Sequence, residues 1–202
     1  MKNLFFILIL LFQSTILFSQ ETLETVDAKG EWFVNNYFGV AVLEAEDFFK
    51  TNAIAVGGMI GREFYLTKNY SLLAGLEHQR LMTDVSGIYV QNMFLNLPLG
   101  FRFYSSTEKP TSVFIDGGLY AGYLYNSKVE DVIADNEDSE SGEGFNFGAW
   151  TTLGVQHRLN DSFNVRLGLQ MQTDLFQSYA DDVLKYKIKG VYAFQIGLGY
   201  RL

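Results

Sequence analysis

From residue 31 onward the chain alternates between apolar and polar positions. In Phe163–Gln172 the odd residues Phe163, Val165, Leu167, Leu169 and Met171 are apolar, while Asn164, Arg166, Gly168, Gln170 and Gln172 between them are not. Near the C-terminus Tyr192, Phe194, Ile196, Leu198, Tyr200 and Leu202 alternate with residues that are mostly small or polar, among them Gln195, Gly197, Gly199 and Arg201. Met93–Phe103 and Phe145–Gln156 repeat the pattern, with Trp150 as the single large apolar residue on the polar side of the second. A two-residue period marks strands whose two faces meet different surroundings. It predicts eight strands, over 32–43, 53–66, 70–81, 89–104, 112–128, 144–159, 163–178 and 187–202. Each is at least as long as the roughly 9–11 residues a tilted strand needs to cross a bilayer.

The connections alternate in kind. Thr67–Asn69 and Asn160–Ser162 are predicted three-residue turns, and Ser105–Thr111 is a short one carrying Pro110. The segments 44–52, 82–88, 129–143 and 179–186 are expected to be longer or more acidic loops. Residues directly opposed in an antiparallel pair face the same side. A three-residue turn sets Leu159 against Phe163 and Leu66 against Tyr70, apolar against apolar in both cases. Tight turns at one end and longer loops at the other are the habit of outer-membrane barrels, whose turns lie on the periplasmic side.

The composition of the two faces predicts which is outside. A soluble sandwich or barrel shows charges to water. Here the alternate face is mostly Gly, Asn, Gln and Arg, as expected of a crowded polar interior, and the apolar face is bulky and unbroken. Backbone in lipid must satisfy its own hydrogen bonds, so only helices or closed barrels span. No run after residue 20 approaches a transmembrane helix in length. The expected fold is therefore all-β, an eight-stranded antiparallel up-and-down transmembrane barrel over residues 31–202. Aromatic girdles are expected at Tyr65, Tyr70, Phe103, Phe163 and Tyr200 on the periplasmic side, and at Tyr123, Tyr125, Phe145, Phe147 and Tyr192 on the other. A soluble periplasmic β-barrel is the rival fold, and extraction without detergent would reveal it.

The first residues read as an address. Lys2 precedes nine uninterrupted apolar residues, Leu4–Phe12, and then Gln13, Ser14 and Thr15. This is the layout of a secretory signal peptide, too short for a membrane span. The expected division is a cleaved signal over 1–19, a periplasmic segment over 20–30 and the barrel over 31–202. Both termini are expected on the periplasmic side of a bacterial outer membrane.

Composition narrows the functional classes. Cysteine is absent and only two histidines occur among 202 residues, which argues against disulfide scaffolds, iron–sulfur proteins and zinc fingers. A net charge of −8 argues against nucleic acid as a partner.

The stretches NMFLNLPLGFRFYSS (92–106) and SVFIDGGLYAGYL (112–124) resemble the Leu-x-Leu-Pro strand and the following glycine-rich strand of PorT-type outer-membrane β-barrel proteins. FNFGAWTTLGVQHRLN (145–160) is similar to the next hairpin of that family, and FQIGLGYRL (194–202) to its terminal strand. The resemblance spans nearly all of residues 31–202, with Leu97–Pro98 and the terminal Gly-Leu-Gly-Tyr its most telling parts. It implies the barrel fold and the outer membrane. Because the founding member is tied to a secretion system, it also implies a part in secretion.

Several constellations bear on chemistry. Parity turns Glu77, Arg102, Asp116, Arg158, Arg166, Asp174 and Arg201 inward, with Arg102 and Asp116 within one strand pair. A selectivity constriction or proton relay is one reading. The plainer one is an interior polar network filling a narrow eight-stranded lumen, where buried charges must be paired. Inward glycines at 100, 118, 122, 148, 154, 168, 197 and 199 make room for those long side chains. Parity turns His78 and His157 outward, and neither has Ser two residues on, as a lipid A deacylase barrel would. The segment 130–143 holds seven acids and no base: Glu130, Asp131, Asp135, Glu137, Asp138, Glu140 and Glu143. Asp135, Glu137, Asp138 and Glu140 are the Ca²⁺ candidates, although no glycine sits where an EF-hand loop turns. A solvated surface loop is the plainer reading there as well.

The expected role is structural, ligand-docking or protein-docking, without catalysis or cofactor. Its partners are expected to be outer-membrane lipid and lipopolysaccharide, the barrel-insertion machinery during biogenesis, and other envelope or secretion proteins. An accessory of a protein secretion system and a lipid-modifying enzyme are the alternatives.

Overall fold

Nine strands form, all antiparallel to their neighbours: β1 Glu31–Ala45, β2 Lys50–Tyr65, β3 Tyr70–Val85, β4 Ile88–Tyr104, β5 Thr111–Asp131, β6 Asn136–Glu140, β7 Gly144–Arg158, β8 Phe163–Tyr179 and β9 Tyr186–Arg201. They are seen in a computed structural model that describes residues 30–45, 50–85, 87–106, 109–131, 136–140, 144–179 and 186–201. The expected signal peptide, 1–19, and all but Gly30 of the segment after it lie outside the described residues. Among the described residues there is no helix.

Each wall strand pairs with the next in sequence, apart from the step from β5 to β7, and β9 returns to β1. The wall is therefore a closed ring of eight strands, and β6 is a short addition paired only with the loop end of β5. A circuit through directly opposed residues, from Glu31 through Glu63, Leu73, Gly100, Gly118, Trp150, Gln172 and Val191, regains β1 at Ala41, ten residues along. Eight strands with that stagger tilt by about 40° and enclose a lumen that side chains fill.

The turn residues explain one end. Thr67 Oγ1 accepts from the backbone N–H groups of Asn69 and Tyr70, at 3.2 and 3.1 Å. Asn160 Oδ1 accepts from those of Ser162 and Phe163, both at 2.9 Å. These side chains mimic backbone and fold the chain back within three residues. Leu66 and Tyr70 close the first turn by a 2.9 Å backbone bond, as Leu159 and Phe163 close the second. The opposed pairs are those the alternation requires.

The other end departs from expectation twice. The segment 82–88 is no loop: Met82–Val85 pairs with Gln91–Ile88, and the chain reverses between Val85 and Ile88. Gly87 has φ 88°, which a two-residue hairpin demands and glycine supplies without strain. The acidic stretch is also partly strand, since β5 runs to Asp131 and β6 folds back on it.

Bulges after Val42, Met93 and Phe147 all lie toward the loop end. The last of them leaves Leu175 and Phe176 both outward, each more than half exposed. Interior aromatics lie directly across from glycines: Phe33 from Gly61, Tyr37 from Gly57, Phe114 from Gly154 and Tyr120 from Gly148. A Cβ on Gly154 would stand 2.4 Å from Phe114 Cζ and 2.5 Å from the Leu167 carbonyl oxygen. Ring can swing aside; backbone cannot. Gly154→Ala is expected to cost about 1–3 kcal/mol of overpacking, read as a lower urea midpoint for loss of the folded barrel.

Candidate functional site

Parity along each strand sends one set of side chains into the lumen and the other onto the outer wall. Arg166 is 2% exposed and Gln195 5%, whereas Leu167, Leu169, Ile196 and Leu198 are 49%, 60%, 55% and 46% exposed. The apolar face is the outside.

At the turn end of the lumen the polar residues form one cluster. Arg102 on β4 grips Asp116 on β5 through two bonds of 2.6 Å, Nε to Oδ1 and Nη2 to Oδ2. Its Nη1 donates to Glu63 Oε2 on β2 at 2.8 Å. Arg166 on β8 donates to the same Glu63 oxygen at 2.9 Å and also pairs with Glu31 on β1. The other Glu63 oxygen accepts from Ser71 at 2.6 Å and from the Tyr104 hydroxyl at 2.7 Å. Glu31 takes further bonds from Asn164 at 2.7 Å and Tyr65 at 2.9 Å, and Gln156 accepts from Arg166 Nε at 2.9 Å. Phe114 lies under the Arg102 guanidinium, its centroid 4.6 Å away, and Phe33 lies within 6 Å of both arginines. Seven of the eight wall strands contribute to this cluster.

The predicted residues thus divide. Arg102, Asp116 and Arg166 meet in the cluster; Arg201 stands at its rim, opposite Glu31 in register, with its guanidinium 4.9 Å from the Tyr65 ring. Arg158 is half-buried at the turn end, where its backbone N–H donates to the Pro110 carbonyl at 2.7 Å. Glu77 and Asp174 lie apart from it, nearer mid-barrel. The Tyr37 hydroxyl donates to Glu77 at 2.6 Å, and Asn96 reaches the same oxygen at 3.4 Å. Asp174 accepts from Tyr120 and, at 2.9 Å, from Asn146. Glu31, Glu63 and Tyr104 are central to the cluster and stand outside the predicted set. Tyr65, expected in a girdle, faces the lumen with Glu31.

Toward the loop end the lumen becomes mainly apolar, contrary to the expectation of a uniformly polar interior, although Ser127 donates to Asn92 there at 2.8 Å. Ala41, Leu43, Ala55, Leu81, Phe94, Leu124, Ile188 and Val191 pack there as one cluster. Between the two zones Gln79 donates to Gln172 at 3.0 Å, bridging β3 to β8. Ion pairs, amides and an apolar plug thus stand in series along the axis. Purified protein added to planar bilayers is expected to give no stable open-pore current; steps of porin size would contradict a filled lumen.

Outside, His78 bonds the Tyr125 hydroxyl at 2.7 Å and His157 the Thr111 hydroxyl at 2.8 Å. They sit on different parts of the wall, with no carboxylate in either bond. Asp135 lies outside the described residues, and the side chains of Glu137, Asp138 and Glu140 are likewise not described, so the Ca²⁺ expectation has no geometry to stand on. Glu130 is described, and pairs with Lys128 at 3.4 Å.

No protein-family description matches the chain, and no curated protein is similar to it in sequence. Solved structures do share its form. Neisserial surface protein A superposes with a TM-score of 0.54 at 10% identity, over 85% of this chain and 97% of that one. Ail, the attachment invasion locus protein of Yersinia pestis, superposes with a TM-score of 0.51 at 12% identity, over 87% of this chain and 99% of the other. At such identities the likeness establishes a shared fold: a closed, eight-stranded antiparallel β-barrel of the kind found in the outer membrane.

Proposed function

We propose that this chain is an integral outer-membrane barrel with a closed lumen, serving a structural or docking role at the cell surface rather than catalysis or diffusion. The outer wall carries the reading. Its outward residues on β1 are apolar from Trp32 to Val42 except for Asn36, a span of ten residue steps that rises about 25 Å along a barrel tilted by about 40°. That matches the apolar band of about 25 Å on known outer-membrane barrels. Soluble proteins rarely expose contiguous apolar patches beyond a few hundred Å². At its turn-end edge Tyr70 packs edge-on against Phe103 at 4.8 Å and Phe163 lies 4.9 Å from Tyr200, as in an interfacial girdle.

Above the band the outward residues turn polar, with Glu44, Lys50, Arg80, Asp84, Lys128 and Lys189 on the loop side. This edge suits contact with lipopolysaccharide or with another envelope protein. The short turns are assigned to the periplasm, which places both barrel termini there, following an N-terminal signal over 1–19. In fractionated envelopes the protein is expected to band with the outer membrane and to resist carbonate and salt. Release by either without detergent would leave the soluble-barrel rival standing. The PorT-type resemblance supports a second reading, an accessory of protein export; deletion of the gene should then block secretion, and unaltered export would remove it.

A further inference from the structure

Arg62 breaks the apolar wall. It lies on the outward face of β2, opposite Trp32 on β1 and Ala74 on β3, close to the turn end. Its guanidinium carbon stands 5.5 Å from the centroid of Trp32 and 5.2 Å from that of Phe64. Gly30 leaves the space it occupies, since a Cβ there would come within 2.8 Å of Arg62 Nε. That Nε is buried and has no hydrogen-bond partner among the described residues. The outward neighbours Ile60, Leu72, Ala74 and Leu76 are apolar, and Glu63, next in sequence, points into the lumen. Two aromatic rings thus hold an always-charged fork on the outer wall, and among the described residues no carboxylate is paired with it.

We propose that Arg62, with Trp32 and Phe64, binds the phosphodiester of a phospholipid in the periplasmic leaflet, the acyl chains lying along the wall above it. The inference rests on the membrane assignment and on the turns facing the periplasm. Guanidinium matches phosphate through parallel N–H donors, which a lysine does not reproduce. Aromatic side chains at the headgroup level hold both the cation and the lipid's glycerol region. Lipid is the source committed to, because the site opens on the wall and not on the aqueous end.

The test uses full-length protein purified from envelopes in mild detergent, with phospholipid per barrel counted by native mass spectrometry. Delipidated samples are then titrated with phosphatidylglycerol. Wild type is expected to retain phospholipid and Arg62→Gln to bind it at least fivefold more weakly, with Arg62→Lys in between. Arg80→Gln, on the same wall at the loop end, should bind as wild type does, and inorganic phosphate should not compete. Equal binding by wild type and Arg62→Gln overturns the site, as does competition by free phosphate. Should Arg62→Gln fail to fold, Trp32→Leu and Phe64→Leu give the same comparison, and unchanged binding in both overturns it. Wild type found outside the outer-membrane fraction defeats the membrane reading instead, a result distinguishable from loss of the site alone.

Discussion

Arg102→Met is expected to cost about 3–5 kcal/mol of barrel stability, the loss that follows when one partner of a buried ion pair is removed. Asp116 then keeps no guanidinium at 2.6 Å, and Glu63 loses one of the two it shares. Both carboxylates are almost wholly buried, so water does not take over. The measurement is urea unfolding in phospholipid vesicles, followed by Trp32 and Trp150 fluorescence and by the gel mobility of the folded form. The triple change Arg102→Met, Asp116→Asn and Glu63→Gln removes charge from both sides and leaves Arg166 facing Glu31. It is expected to recover most of the loss, because replacing a whole buried network often comes near to neutral where breaking it does not. A single variant as stable as wild type would show that the cluster does not hold the wall together.

That cluster also marks how far sequence reasoning reached. Arg102 and Asp116 sit on strands joined by the short connection at Ser105–Pro110, so parity and a tight turn suffice to bring them together. Arg166 meets Glu31 and Glu63 only because the ring closes with a particular stagger, and stagger leaves no local trace in the chain. Parity is legible in β4, β7, β8 and β9, whose outward faces are bulky. It is blurred in β1 and β2, where Gly39–Val42 and Ala53–Gly58 set small and apolar residues on both faces. Glu31 lies one residue before the predicted start of the first strand, and Glu63 stands beside Arg62, so that charge falls on both parities there. Tyr65 shares the parity of Glu63, and that phase, more reliable than its place near a strand end, points it into the lumen. The hairpin at Gly87 was masked by Thr83 and Asp84, polar residues that read as loop but lie in β3, at the loop-end rim where the outer wall has already turned polar.

A charge moved down the outer wall should meet a barrier that depends on depth. Leu97 on β4 is 60% exposed and lies midway along the outward row that runs from Tyr89 to Phe103. Its neighbours across the strands, Ala121 and those above and below, offer no anion. Leu97→Arg is expected to destabilise the barrel in phospholipid vesicles by about 2–4 kcal/mol, the cost of a guanidinium at the bilayer midplane. Phe103→Arg, at the turn-end edge beside Tyr70, should cost about 0–1 kcal/mol for its charge, because there the side chain reaches headgroups and water. The Phe103 ring contact is lost as well, so Phe103→Leu serves as its reference and Leu97→Ala as the other's. In detergent micelles, whose thin shell lets water reach the wall, the difference between the two sites should shrink. A profile that is flat with depth in vesicles would mean the wall is not meeting acyl chains, and would return the molecule to the periplasm as a soluble barrel.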